Sequence, residues 1–403
     1  MNRSDPDPLP LIETLRTQLK SELDSILHYW STETIDTTFG GFFGEINYAN
    51  EKNPKAEKGS VLNARILWSF SAAYPITQNE NHKLLAKRAF DYLVHHFYDH
   101  ENGGIFWSIY HDGTPKDTKN QIYALAFTIY GLAEYYKISA DNSALTLAIA
   151  LYHKIQLHSL DVMYNGYFEA FTQDWKLLDD LRLSEKDANE KKTMNTHLHI
   201  VEAYANLYTI WPDQNLKAAI TNLLELIDCH FINKVNGHLR LFFDENWNEN
   251  QDVISYGHDI EAAWLLLWCA ERIEDQHWIL KYQENAILLT NAAARGLDED
   301  GGLWYELEIQ TQKRIEEKHW WPQAEWLIGM VNAYQITRDT AYLELAEKNL
   351  EFIQKHLIDD KQGEWFWGID KNYEKIEKDK AGFWKCPYHN SRACIEILNR
   401  LSS

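Results

Sequence analysis

The sequence predicts an all-α protein, an (α/α)6 barrel of six helical hairpins with short β-hairpins or loops at one rim. Three observations carry this expectation. A turn of an acidic or polar residue, one or two glycines and a short aromatic or β-branched run recurs six times, every 61 to 71 residues. A stretch with apolar residues at i, i+3, i+4 and i+7 stands on either side of each turn. No low-complexity linker interrupts the pattern, so residues 1–403 read as one domain.

The repeats follow in order. The first has a helical stretch over 8–30, the turn Gly40-Gly41-Phe42-Phe43 and a second stretch over 59–74. The next two are 81–97, Gly103-Gly104-Ile105-Phe106-Trp107 and 119–137, then 142–158, Asn165-Gly166-Tyr167-Phe168-Glu169 and 190–210. The second half supplies 214–231, Gly237-His238-Leu239-Arg240-Leu241 and 256–272, then 278–295, Gly301-Gly302-Leu303-Trp304-Tyr305 and 320–336. The last is 340–357, Gly363-Glu364-Trp365-Phe366-Trp367 and 387–400. The glycines suit a helix C′ position or a tight turn needing positive φ, and the aromatic runs read as strands or hairpins. An open solenoid of helical pairs would give the same pattern. A closed ring is preferred because six hairpins complete it and neither terminal repeat has a polar cap.

Composition narrows the function classes. Lys and Arg number 39 against 60 Asp and Glu, a formal charge of −21, which suits neither nucleic acid nor an anionic membrane surface. The longest apolar run, Ala262 to Ala270, is half of a membrane span, and the amino terminus lacks the apolar region of a secretory signal. Four cysteines (Cys229, Cys269, Cys386, Cys394) without C-x-x-C spacing argue for buried thiols in a reducing compartment. The expectation is a cytoplasmic protein, monomeric because the helical pattern leaves no strong apolar patch.

The second helix of each repeat carries the chemically unusual residues at or near its start. They are Asn63 and Arg65, then Tyr123, then Asp187, Asn189, Glu190, Asn195, His197 and His199. His258 and Glu261 follow, then His319, Trp320, Trp321, Gln323 and Glu325, then Trp384, Tyr388, His389 and Arg392. If these six helices line the ring, their N-terminal ends converge on one mouth and surround one pocket. Asn195 and His199 share a helix face whereas His197 points away, so His197 reads as a hydrogen-bonded core histidine. His199, His258 and His389 stand at one phase of three repeats, which favours a site.

Zinc on three histidines is one use of such a site, but no H-E-x-x-H motif, Cys/His knuckle or acidic cage is present, and Trp and Arg crowd the region. The expectation is no metal and no cofactor. Hydrolysis of a glycoside by a pair among Asp187, Glu261 and Glu325 is another use, and it leaves the histidines without a task. Proton transfer at a carbon beside a carbonyl employs them all. Two imidazoles across a planar enediol remove a proton from one face and return it to the other, while Arg and a third His stabilise the oxyanion. Trp321 and Trp384 suit the apolar faces of sugar rings.

The stretches KGSVLNARILW, DTKNQIYALAF, DANEKKTMNTHLHIVEAY, SYGHDIEAAWLL, KHWWPQAEW and GFWKCPYHNSRAC resemble those of the cellobiose 2-epimerases, within the N-acylglucosamine 2-epimerase superfamily. The resemblance runs from about residue 36 to the C-terminus and implies the same barrel. It implies epimerisation at C2 of the reducing-end glucose of a β-1,4-linked disaccharide, cellobiose to glucosyl-mannose and lactose to epilactose. By the same likeness His258 and His389 are the acid/base pair, His389 also assisting ring opening, while His199 and Arg65 attend the reacting oxygens. Asn195, Tyr123, Asp187 and Glu261 fall on substrate-contacting positions, and Trp321 and Trp384 on sugar-stacking ones. The implied partner is a small disaccharide alone. N-acylglucosamine 2-epimerases and aldose–ketose isomerases of the superfamily are the alternatives. The former need an acetamido pocket and commonly a nucleotide, for which no motif is visible.

Overall fold

The structure is a computed structural model that describes residues 8–185, 187–250 and 253–402. Among the described residues, twelve α-helices alternate between two rings. The outer ring is α1 (Leu9–Thr32), α3 (Glu80–Tyr92), α5 (Asn142–His158), α7 (Gln214–Leu226), α9 (Gln276–Ala293) and α11 (Ala341–His356). The inner ring is α2 (Ser60–Thr77), α4 (Ile122–Ser139), α6 (Met194–Tyr208), α8 (Tyr256–Arg272), α10 (Trp320–Thr337) and α12 (Tyr388–Arg400). Each inner helix packs on the next, and α12 returns to pack on α2, while α1 lies against α12 and α11. The ring is closed, which decides against the solenoid.

Burial explains the sorting. The outer helix α3 buries one stripe, His82, Leu85, Ala86, Ala89 and Phe90, whereas α4 is buried on all sides from Ile122 to Ala133. Four of the six outer helices, α3, α5, α7 and α9, begin with side-chain caps: Asn79, Asp141, Asp213 and Asp275 each accept from a backbone N–H in the first turn. The stretches 81–97 and 214–231 each end in one wider turn, Leu93–Phe97 and Ile227–Phe231, rather than as α-helix throughout. Among the described residues no helix is long and apolar enough to cross a membrane. Cys229 is exposed, against the expectation of four buried thiols; the other three are buried, and none is disulfide-bonded. Val162 and Met163 also stand exposed, in a turn that helical periodicity does not describe.

The glycine turns lie beyond the helix ends, so the turn reading holds and the C′ reading does not. The inner helices α2, α4 and α10 instead end on left-handed Gln78, Ala140 and Arg338. After each turn the chain forms one antiparallel bridge: Ile35–Phe42, Tyr98–Ile105, Leu160–Tyr167, Ile232–Leu239, Leu297–Leu303 and Ile358–Trp365. Short strands 58–59, 115–121, 192–193, 253–255 and 317–319 then run directly into inner helices. They pair into small antiparallel sheets, with Gly59 opposite Ser108, Gln121 opposite Ala170, and His319 opposite Gly368. This arrangement brings the strand-fed starts of the inner helices to one rim.

Two devices tie that rim to the barrel. Buried lysines reach the turn aspartates: Lys58 to Asp36 at 2.8 Å, Lys192 to Asp161 at 2.8 Å, Lys318 to Asp298 at 2.7 Å and Lys380 to Asp359 at 2.5 Å. Side chains leading into or on the inner helices also accept from the backbone N–H just past the glycines. Asn120 takes that of Ile105 (3.1 Å), His197 that of Tyr167 (2.9 Å), Asp259 that of Leu239 (2.7 Å) and Gln323 that of Leu303 (2.7 Å).

Candidate active site

The strand-to-helix entries surround a cavity at this rim. It is lined by Arg65, Tyr123, Asp187, Asn195, His199, His258, Glu261, Trp321, Trp384 and His389, the ten positions to which the family resemblance gives a role, whereas Asn63, Asn189, Glu190, Gln323, Glu325, Tyr388 and Arg392 are not on its wall. Leu183, Ser184, Tyr305, His319, Trp320 and Trp367 complete the wall. Tyr123, Asn195, His258, Trp321 and His389 stand in the first turn of their helices, where free backbone N–H groups make the potential positive. A negative charge developing in the cavity is therefore stabilised.

His389 opens α12, and its Nδ1 lies 2.7 Å from Glu325 Oε1. The residue is 6% exposed, and burial holds its pKa well below the usual imidazole value, so it is neutral at pH 7. The Nδ1 of His258 lies 2.8 Å from Ser255 Oγ. A hydroxyl donates or accepts, so that bond survives whether the ring carries a proton or sheds one. Both imidazoles pack against the indole of Trp321, with ring centroids 4.8 Å away for His258 and 5.6 Å for His389.

His199 sits one turn into α6, its Nδ1 2.7 Å from Glu202 Oε2. Burial pushes its pKa down to about 3. Its ring meets Tyr123 edge-on at 5.1 Å. Tyr123 in turn accepts from Arg65 Nη2 at 2.8 Å, and burial pushes its phenol up to about 12 despite that cation. Arg65 is buried, its guanidinium 4.0 Å from the Phe127 ring centroid and 4.8 Å from that of Tyr388. Asn195 Oδ1 is buried with no hydrogen-bond partner among the described residues, an acceptor suited to a hydroxyl. Asp187 is held by the hydroxyl and backbone N–H of Ser184, at 2.8 and 2.9 Å. Trp384 packs near Trp107 and Tyr123, at 5.8 and 6.2 Å.

Beneath the histidines, Arg392 is fully buried and reaches three carboxylates. It donates to Glu202 Oε1 at 2.7 Å, Glu325 Oε1 at 2.7 Å and Glu261 Oε1 at 2.5 Å. Burial raises the pKa of Glu202 and Glu325, and Arg392 opposes it. Glu261, Glu325 and His389 present ligand atoms within 4.8 Å of one another. The guanidinium already bridges the two carboxylates, and that fixed cation opposes entry of a divalent ion.

His197 is apart from the cavity. Its two ring nitrogens meet Thr193 O at 2.7 Å and the Tyr167 N–H, as its helical phase predicts. Sequence reasoning passed over Glu202, Tyr305 and Trp367. Glu202 had a signal, a carboxylate three residues after His199 on a largely apolar stretch of helix, where a charge is costly unless paired.

A family model described as N-acylglucosamine 2-epimerase (GlcNAc 2-epimerase) matches residues 41–393. The cellobiose 2-epimerase of Bacteroides fragilis is 46% identical over 389 residues, spanning 96% of this chain and 99% of that protein. The cellobiose 2-epimerase of Dictyoglomus turgidum is 35% identical, spanning 97% of this chain and 100% of that protein. Among solved structures, cellobiose 2-epimerase from Bacillus thermoamylovorans superposes with a TM-score of 0.92 at 35% identity, covering 96% of this chain and 100% of that one.

Proposed function

The chain belongs to the N-acylglucosamine 2-epimerase family and is an isomerase acting on carbohydrate, and from that premise we propose that it epimerises C2 of the reducing-end glucose of β-1,4-linked disaccharides. Cellobiose becomes glucosyl-mannose and lactose becomes epilactose. The observation that carries the reading is the pair His258 and His389, from separate hairpins, both lining one cavity and both packed on Trp321.

In this mechanism the hexose ring opens with help from His389, exposing the C1 aldehyde. A neutral imidazole takes the C2 proton. The electron pair of that bond moves into a C1–C2 double bond, and the C1 oxygen takes up negative charge. Arg65 and His199 stabilise that oxygen as a cis-enediol forms. The second imidazole, which enters the cycle protonated, then delivers its proton to the opposite face of C2 while the electrons on the C1 oxygen re-form the carbonyl, which inverts the stereocentre and leaves the charges of the two rings exchanged. His389, buried and neutral, is ready as base, and His258 accommodates either protonation state against Ser255. Asn195, Tyr123, Asp187 and Glu261 bind hydroxyls, while Trp321 and Trp384 stack on sugar faces.

The reading requires neither metal nor cofactor. A hydrolase would need two carboxylates free for acid/base work, whereas Glu261 and Glu325 both accept from Arg392 and Asp187 accepts from Ser184. The same proposal makes residues 1–403 one catalytic domain, in a cytoplasmic monomer whose partner is the disaccharide alone.

The test is cellobiose in heavy water followed by NMR. Deuterium is expected at C2 of an intact glucosyl-mannose product, and released monosaccharides would overturn the reading. His258→Ala and His389→Ala should each lower kcat by about 10²- to 10⁴-fold. Full turnover in either variant rejects the two-base assignment.

A further inference from the structure

We propose that Arg392 is a positioning residue that fixes the tautomers of His199 and His389 together, by holding Glu202 and Glu325 as ionised acceptors. The inference deepens the proposed function, on which it rests for what the histidines then do.

Arg392 lies on α12, is fully buried, and is absent from the cavity wall. It cannot accept a hydrogen bond and keeps its proton, so it always presents donors. One nitrogen donates to Glu202 and the other to both Glu325 and Glu261. Glu202 Oε1 also accepts from the Tyr388 hydroxyl, and Glu325 Oε2 accepts from Trp264 Nε1 at 2.9 Å. Glu202 Oε2 faces His199, and Glu325 Oε1, the oxygen that also accepts from Arg392, faces His389.

An ionised carboxylate only accepts, so the Nδ1 it faces must carry the hydrogen. Both rings are then held as the Nδ1–H tautomer, with the lone pair on Nε2. A protonated carboxyl can donate instead and would place the lone pair on Nδ1, turned away from its task. Three carboxylates packed together without a cation cannot all stay ionised. Arg392 therefore sets the tautomer of two histidines that stand on different helices, although it touches neither the cavity nor their rings.

The test uses full-length protein with 15N-labelled histidine, read by long-range proton–nitrogen NMR at neutral pH. Signals are assigned with His199→Gln and His389→Gln. The wild type should show both rings as Nδ1–H. In Arg392→Met both should lose that pattern together, and kcat should fall by about 100-fold or more with KM changed only a few-fold. Arg392→Lys should recover part of both. His197, held by Thr193 and Tyr167, is an internal reference for an intact fold. If Arg392→Met does not fold, Glu202→Gln should alter His199 alone and Glu325→Gln His389 alone. Unchanged tautomers in the folded Arg392→Met protein, or in both glutamine variants, overturn the proposal. That outcome is distinct from failure of the epimerase reading, which shows as hydrolysis or as an active His258→Ala enzyme.

Discussion

At the scale of single residues, burial decides protonation. A base must be deprotonated to act, and His389 is held below the usual imidazole value of about 6.5 by desolvation. The acid limb of kcat/KM for a neutral disaccharide should therefore lie below pH ~6.5. A limb at or above that value would contradict a neutral, buried base. Glu169 shows the opposite sign. It is fully buried, accepts from Thr193 N at 2.7 Å and meets the Thr196 hydroxyl, and burial raises its pKa from 4.5 to about 8. Its stability contribution is complete below the unfolded value and is lost as pH rises through about 8. Glu169→Gln, which mimics the protonated form, should flatten the fall in Tm between pH 6 and pH 9. An equally steep fall would show that Glu169 does not titrate there. Much at this scale was legible: helical phase separated His197 from His199, two positions apart. Glu202 and Arg392 were less legible as a pair, because their bond joins positions 190 residues apart.

At the scale of elements, each turn is fastened to the barrel by a few buried polar groups. Lys192, fully buried, pairs with Asp161 and also donates to Glu245 O at 2.8 Å. Lys192→Met strands a buried carboxylate and should cost about 3–5 kcal/mol, read from denaturant unfolding; a loss under about 1 kcal/mol would make the pair incidental. Gly166 has φ +85°, and an added Cβ would stand 2.6 Å from the Trp247 ring and 3.1 Å from His197 Nε2. Gly166→Ala should cost roughly 1–3 kcal/mol from backbone strain alone, with the clash adding to it. The recurrence of glycines announced these turns, and acidic residues before them were visible. The lysines that answer four of the turn aspartates were not, since a charged residue in a polar loop reads as solvated until the fold buries it.

For the whole molecule, closure is the decisive property. The seam is made by α12 against α2 and α1, and α12 also carries His389 and Arg392. A chain ending at residue 387 should lose the cooperative thermal transition seen by circular dichroism, not merely one helix's share of signal. A proportionate loss with cooperative melting would mean that the hairpins behave as a solenoid. The charge of −21 makes a second demand. A neutral disaccharide should react at a rate insensitive to ionic strength, whereas a sugar acid should be a poor substrate at low salt.

Local periodicity determined the six hairpins and the helix starts at which the unusual residues lie. Those properties are written in neighbouring positions, because a helix repeats its burial every few residues. Tertiary structure alone decided that the ring closes, that Trp321 is shared by two histidines, and that one guanidinium gathers carboxylates from three helices. Such contacts join distant segments, and their energy depends on a shared low-dielectric interior that exists only once the barrel has formed.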